Sequence, residues 1–528
     1  MSGNRGEDIP AMEGTAHGVA EVLTGGDGPN HGGRGCGENL RQDAVIGRNE
    51  EMATGFGQDR LAGAAHAGVH NGHMNRPRGE AGPGLGQHRA ALCYLPRVDF
   101  VSDINNLRVA ADAQDHALHG ANVVIGGAKV GKKGDDGAFH NRRKLNWSLA
   151  QHYYFDHNAT TPVAPEVLEF LRETMAEVYG NASSIHYYGQ AAKRHLEGAR
   201  RALAARFQCD PREIVFTSGG TEADNLAIFG IARRKPGSHV ITSAVEHPGV
   251  LNACAQLERE GHDVTLLPVD GAGLVSPDDI RRALRPNTAL ITVMHANNET
   301  GVLQPVEAIA AIARDAGIAC HCDGVQTAGR VPLHLNSGPD LVSISGHKFG
   351  APKGIGALYV RKGVELQPLF YGGHHERDRR AGTENVPGAA ALGFAAANLP
   401  DWTAISTLRD RLEQGILARV PAARVNGGGA ERIPNTTNIR FDGIEGEAMV
   451  IALDLRGYAV SSGSACSSGA VEPSHVLLAM GLSPSQSRSS VRFSLGPANT
   501  EAEVDGLLNA VSSAVEHLRR ISPEVVHG

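Results

Sequence analysis

The chain has little of what marks the more specialised classes of protein. Its seven cysteines, Cys36, Cys93, Cys209, Cys254, Cys320, Cys322 and Cys466, form an odd and scattered set in 528 residues. That pattern excludes a disulfide framework and implies reduced thiols. No apolar run approaches the roughly 18 residues that a membrane span requires, so no membrane association is expected. The net charge of −7 is mild and no basic stripe is present, which excludes the usual electrostatic footprint for nucleic acid. The opening "MSGNRGEDIPAMEG" mixes charges and lacks the apolar core of a secretory signal. A cytoplasmic protein is expected.

What is present is unevenly distributed. Residues 1–150 hold 27 of the 66 glycines and no long amphipathic pattern, and pieces such as "AGPGLGQHRA" cannot bury enough apolar surface to offset chain entropy. This extension is expected to be disordered, with "ANVVIGG" able to form an isolated strand; a misplaced start site is the alternative origin. His66, His70 and His73 cluster within it, but no cysteine or carboxylate stands at ligand spacing, so they are not read as a metal site.

From Tyr153 onward, short β-rich runs ("EIVFTSG", "SHVITSA", "DVTLLPV", "ALITVMHA", "LVSISG") alternate with helical ones such as "PVEAIAAIARDAG". That alternation predicts an α/β domain with a mostly parallel sheet, whose ligands gather beyond the carboxyl ends of the strands. After about residue 400, the amphipathic "TLRDRLEQGILARV" and the strands "NTTNIRFDG" and "SVRFSLG" predict a smaller α+β domain. The expected boundaries are 166–400 for the large domain, with 151–165 and 401–528 forming the small one.

Three stretches place polar groups at strand ends. In "SISGHKFGAPKG", Lys348 follows a strand that runs into the interior, where an ammonium is paired or loses its charge and then serves as a nucleophile or base; a solvated surface lysine is the competing reading. In "FTSGGTEADNLAI", a strand passes through Gly219, Gly220 and Thr221 into a helix, leaving amides at its positive end for a phosphate, or else a simple N-cap. In "CHCDGVQTAG", Asp323 ends an apolar strand and needs a cationic partner, either a structural ion pair or a protonated pyridine nitrogen. Cys320, His321 and Cys322 are not read as a metal site, because consecutive strand residues point to opposite faces.

A lysine, a strand-end aspartate and a phosphate cradle in one sheet domain are what pyridoxal 5'-phosphate requires. "SGHKFGAPKG" resembles the lysine segment of fold type I pyridoxal phosphate enzymes. "YFDHNATTPV", "VFTSGGTEADNLAI", "HANNETGVLQPV", "RAGTENVPG" and "SSGSACSSG" occur together in the order seen in cysteine desulfurases of the nitrogen-fixation and iron-sulfur assembly group, a resemblance covering roughly residues 153–520. It implies that Lys348 is the Schiff-base lysine and proton shuttle, that Asp323 holds the pyridine nitrogen, and that Gln326 and Asn298 bond the ring oxygen. It further implies that His247 stacks on the ring, that Gly220, Thr221, Ser345 and His347 contact the phosphate, and that Thr383 serves the phosphate site of a neighbouring subunit in a homodimer. Arg492 matches the arginine that grips the substrate carboxylate.

Cys466 selects sulfur chemistry over transamination. It lies in the Gly/Ser-rich "SSGSACSSGAV", the setting of a loop that carries a thiol into a site and out again with cargo. The implied reaction converts L-cysteine to L-alanine, with sulfur held as a persulfide on Cys466 and passed to an iron-sulfur scaffold or other acceptor protein. A cluster-ligand role for Cys466 during transfer is compatible with the same chemistry. The alternatives are a selenocysteine lyase or related aminotransferase, and a non-catalytic sulfur carrier. The chain departs from the family pattern at Ala182 where proline is usual, Gly324 where alanine is usual and Asp378 where glycine is common, and in its 150-residue extension.

Overall fold

The computed structural model describes residues 152–462 and 472–521. The extension 1–150, with its three histidines, and the segment that carries Cys466 lie outside the described residues.

The β-rich runs become strands because Val, Ile, Leu and Thr suit a pleated surface buried on both faces. In chain order the strands are β1 (Tyr153–Tyr154), β2 (Ile214–Thr217), β3 (His239–Ser243), β4 (Asp263–Leu267), β5 (Thr288–Thr292), β6 (Ala319–Asp323), β7 (Leu341–Ser345) and β8 (Gly356–Val360). They continue with β9 (Ala423–Val425), β10 (Thr436–Phe441), β11 (Tyr458–Ala459), β12 (Ser461–Ser462) and β13 (Ser490–Ser494). Seven of them form one sheet in the order β2-β8-β7-β6-β5-β3-β4. β3 to β7 pair in parallel, whereas β8 is antiparallel to both β2 and β7. β2 therefore runs with the others, and six carboxyl ends share one edge.

Parallel neighbours need crossovers, supplied by the helices Gly220–Ala232, Pro248–Arg259, Pro277–Ala283 and Val306–Asp315. Proline stands in the first turn of two of them, where its missing N–H costs nothing. Covered on both sides, β7 is buried at all five residues. The serine and apolar alternation in "LVSIS" therefore does not mark a solvent face. Ser343 is instead bonded internally, 2.9 Å from His321 Nε2.

A second sheet, in the order β12-β13-β10-β9, is antiparallel throughout. The helix Glu501–Ile521 covers it with Val504, Leu507, Leu508, Val511, Ala514 and Val515, one face at helical spacing. These residues share a core with Phe155, Leu453, Phe441 and Phe493. β1 pairs in parallel with β11, and Asp156 bridges Ser494, which draws the start of the described chain onto this second body.

Candidate active site

The shared carboxyl edge opens into a cavity of about 290 Å³. Lys348, Asp323, His247, Gly220, Thr221, Asn298, Gln326, Ser345, His347 and Arg492 all line it. Residues from Gly220 to Arg492 thus meet because each follows the same end of a strand, or faces that end from β13.

Lys348 closes a 3-10 turn, Gly346–Lys348, that follows β7. Its Nζ donates to the carbonyl oxygens of Asn158, at 2.5 Å, and Ala159, at 3.0 Å. The "DHNATT" stretch also fixes the turn itself: His347 Nδ1 lies 3.1 Å from Thr160 Oγ1, and Thr161 Oγ1 donates to His347 O. Burial pushes the His347 imidazole down to about 4, and the neighbouring Lys348 charge acts in the same direction.

Asp323 ends β6 and is buried. Its Oδ1 accepts the Val325 amide at 2.9 Å. Burial raises its carboxyl above the usual aspartate range, opposed by His247, the Val325 amide and Lys348. A cationic ligand atom at this point would reverse the balance. His247 caps the helix Pro248–Arg259 and accepts the Gly249 amide on Nδ1 at 3.0 Å. Burial holds its pKa down, Asp323 opposes, and Lys348 and His475 add to the lowering.

The helix Gly220–Ala232 starts without any side-chain cap, so its first amides face the cavity unclaimed by a serine or threonine. A Cβ at Gly220 would stand 2.6 Å from Val325 Cγ2, so only glycine fits. Asn298 presents a buried Oδ1 with no protein partner. Arg492 donates to Asn298 O at 2.9 Å and to Asp156 Oδ1 at 2.7 Å, which leaves its buried Nε without a partner.

Two residues overlooked in the sequence shape this site. Arg330 is fully buried and donates to Asn158 Oδ1, Gln326 Oε1, His157 O and Lys348 O, at 2.7 to 3.1 Å. It orients Gln326, four residues before it, and burial lowers its pKa to about 9, with Arg492 adding to the effect. The only sequence signal was an arginine one helical turn after the glutamine. Asp224 also lines the cavity, with Oδ1 3.7 Å from His321 Nε2. Burial and then Asp323 push its carboxyl far upward.

Thr383 is exposed and lies outside the cavity lining, and Cys466 lies outside the described residues. Cys320 and Cys322 pack into separate hydrophobic clusters, and His321 spends both ring nitrogens on Thr292 and Ser343. Among the described residues no group of three or more histidine, cysteine or acidic side chains is placed to hold a metal ion. Likewise, no described helix is long and apolar enough to cross a membrane. A larger cleft of about 1110 Å³, lined by His295, His334, Glu307 and Glu431, contains no lysine or arginine.

The departures from the family pattern have local consequences. A Cβ at Gly324 would meet Val342 Cγ1 at 2.7 Å, so the space of the usual alanine is taken. Asp378 sits at φ +64°, after Glu376 and Arg377 at +44° and +58°, a conformation that favours the usual glycine. Ala182 is buried.

Residues 153–507 match the aminotransferase class-V family. The chain is 50% identical over 377 residues to a cysteine desulfurase of Trichormus azollae, covering 70% of this chain and 94% of that protein. It is 46% identical over 395 residues to the cysteine desulfurase IscS of Methanosarcina thermophila, covering 73% and 98%. Among solved structures it resembles a NifS-like protein, with a TM-score of 0.65 and 35% identity over 70% of this chain and 100% of that one. It also resembles SspA in complex with cysteine, with a TM-score of 0.61 and 38% identity over 66% and 99%. A strand-edge cavity built around a lysine and a buried aspartate, on a sheet shared with these relatives, places the chain in the cysteine desulfurase family of class-V aminotransferases.

Proposed function

We propose that this cysteine desulfurase converts L-cysteine to L-alanine with pyridoxal 5'-phosphate as its cofactor, collects the sulfur as a persulfide on Cys466, and delivers it to an acceptor protein of iron-sulfur cluster assembly. The observation that carries this reading is the convergence of Lys348, Asp323 and the uncapped helix start at Gly220 in one cavity. The residues fit the cofactor. A buried carboxylate awaits a cation, the orphaned Asn298 Oδ1 awaits a donor, and unclaimed amides await an anion.

When bound, the cofactor supplies an electron-accepting ring conjugated to the substrate α-carbon. The protein groups do the rest. Asp323 would hold the ring nitrogen through a charged hydrogen bond, Gln326 and Asn298 would bond the ring oxygen, and His247 would cover a ring face. Gly220, Thr221, Ser345 and His347 would hold the phosphate. Arg492 grips the substrate carboxylate, and Lys348 carries the α-proton. The Cys466 thiolate attacks the substrate sulfur, forming an S–S bond as the C–S bond breaks with its electron pair left on carbon; protonation there yields alanine.

Residues 166–400 form the cofactor-binding domain, and 151–165 with 401–528 form the small one. Support comes from the separate core around the four-stranded sheet and from the pairing of β1 with β11. A homodimer is favoured by the exposed, mutually touching rings of Tyr179, Tyr187 and Tyr188 and by exposed Phe370 and Tyr371, apolar surface that a second copy would cover. Thr383, exposed and outside its own cavity, would then reach the phosphate site of that copy. Free thiols at Cys209, Cys254, Cys320 and Cys322 favour a cytoplasmic location.

The test is the yield of alanine and sulfide from L-cysteine with a thiol reductant. One-to-one products are expected, with both products and the visible cofactor band altered in Lys348→Ala. Turnover that survives Cys466→Ser would remove the thiol from the reaction. Parallel kinetics with selenocysteine separate the lyase alternative.

A further inference from the structure

The helix that starts at Gly220 carries Asp224 one turn further along the same face, so a second carboxyl enters the cavity with Asp323. Both side chains are buried. Two carboxylates in one dry space repel each other, and such a pair holds on to one proton. The surroundings decide which member keeps it.

Asp323 has support for its charge: the Val325 amide 2.9 Å from Oδ1, and the fields of His247 and Lys348. Asp224 has far less. Its Oδ1 is buried without a hydrogen-bond partner, 3.7 Å from His321 Nε2. That imidazole brings no charge, since Thr292 Oγ1 at 2.8 Å and Ser343 Oγ at 2.9 Å engage its two nitrogens and burial holds its pKa down to about 3.

Asp224 Oδ2 reaches the same point as His247: a Cβ on Gly249 would stand 3.4 Å from that oxygen and 3.1 Å from His247 Nδ1. His247 Nδ1 accepts the Gly249 amide, so it has no proton to give. Burial and then Asp323 oppose an ionised Asp224, Glu246 adds to them, and the Ser343 hydroxyl pulls the other way. Cys322 also feels this charge, and its own buried thiol stays neutral.

We propose that Asp224 and Asp323 work as a carboxyl pair with one proton between them, kept by Asp224, and that the neutral Asp224 positions Asp323 as the single anion facing the ring nitrogen. The inference rests on pyridoxal 5'-phosphate being the cofactor. Asp224 is a positioning residue: it acts through Asp323, and its proton stays in place during turnover. A second anion at this point would draw the cationic ring atom away from Asp323, and a gap would admit water. A neutral carboxyl does neither.

The experiment compares full-length wild type, Asp224→Asn, Asp224→Ala and Asp323→Asn, with and without pyridoxal 5'-phosphate. Infrared difference spectra of wild type against Asp224→Asn should show the C=O stretch of one protonated carboxyl near neutral pH, in cofactor-free protein as well as in holoenzyme. In Asp323→Asn that stretch should titrate about one pH unit or more below its wild-type midpoint, because the charge opposing ionisation of Asp224 is gone. Asp224→Ala should weaken cofactor binding roughly tenfold and shift the pH midpoint of the visible cofactor band. Asp224→Asn, neutral and of the same shape, should recover most of both.

The absence of a protonated-carboxyl stretch from Asp224, or a midpoint indifferent to Asp323→Asn, overturns the pair. An Asp224→Asn protein as impaired as Asp224→Ala shows that the residue acts as an anion and overturns the neutral role. An Asp224→Ala protein that matches wild type in cofactor affinity and band overturns the positioning role. A wild type that binds no pyridoxal 5'-phosphate sinks the cofactor reading instead, and the infrared result on cofactor-free protein tells the two failures apart.

Discussion

Arg492 on β13 donates to Asp156 across 2.7 Å, an ion pair between residues 336 positions apart in the chain. With a second bond to Asn298 O, the guanidinium is aimed into the cavity by two fixed acceptors. A lysine has no planar fork with which to satisfy both and still bind a carboxylate. Arg492→Lys is expected to raise KM for L-cysteine by tenfold or more, about 1.4 kcal/mol, with the cofactor band retained. A KM unchanged in that variant would place the substrate carboxylate elsewhere.

At Gly324, the contact that alanine would make falls on a buried branched side chain rather than a flexible one. Overpacking of this kind costs about 1–3 kcal/mol. Gly324→Ala should therefore lower the denaturant midpoint, and in a Val342→Ala background the same change should cost at least about 1 kcal/mol less. Additive effects would show that the contact is relieved by backbone movement instead.

Arg200 and Glu376 form the most buried arginine–carboxylate pair among the described residues, with side chains 3% and 2% exposed and two bonds of 2.7 and 2.8 Å. Glu376 also accepts the Phe216 amide, which ties the left-handed turn at 376–378 to β2. Glu376→Ala leaves the buried guanidinium with only Glu197 and the Ile214 carbonyl, and should cost about 3 kcal/mol. The exposed pair Arg411–Asp505 has almost the same N–O distance, yet Asp505→Ala should shift the unfolding midpoint little, because water screens the pair. Equal losses in unfolding experiments would refute the role assigned to burial.

Burial lifts the Glu246 carboxyl to about 8 from its ordinary 4.5, against the pull of Ser243 and the Met294 amide. Its folded pKa is raised, so the folded state holds a proton that the unfolded state has released. The associated stability is present below about pH 4.5 and declines as pH rises toward 8, by on the order of a few kcal/mol. Glu246→Gln should flatten that decline in a series of unfolding midpoints. A variant that tracks the wild-type slope from pH 5 to 8 would rule Glu246 out as its source.

Much of the site was legible in the sequence because strand ends announce themselves. Lys348, Asp323 and Gly220 each follow a short β-rich run, and six parallel-running strands bring such positions to one edge. Arg330 and Asp224 were not legible, since each lies inside a helix-like stretch where an isolated charge normally faces water. Their burial depends on what packs over them: Asn158 and Gln326 for the arginine, His321 and Ser343 for the aspartate.

The order of β-rich and helical runs alone determined the parallel sheet, the edge where ligands gather and the chemical types available there, because periodicity and turn residues are local properties. Only the tertiary structure decided which polar groups are satisfied by protein and which are left for a ligand. The Lys348 bond to the Asn158 carbonyl and the Ser474 bond to Glu299 join residues distant in the chain, and the Asn298 oxygen is left without a protein partner. The cost of burying a polar group is set by its neighbours in space, and a linear pattern does not contain them.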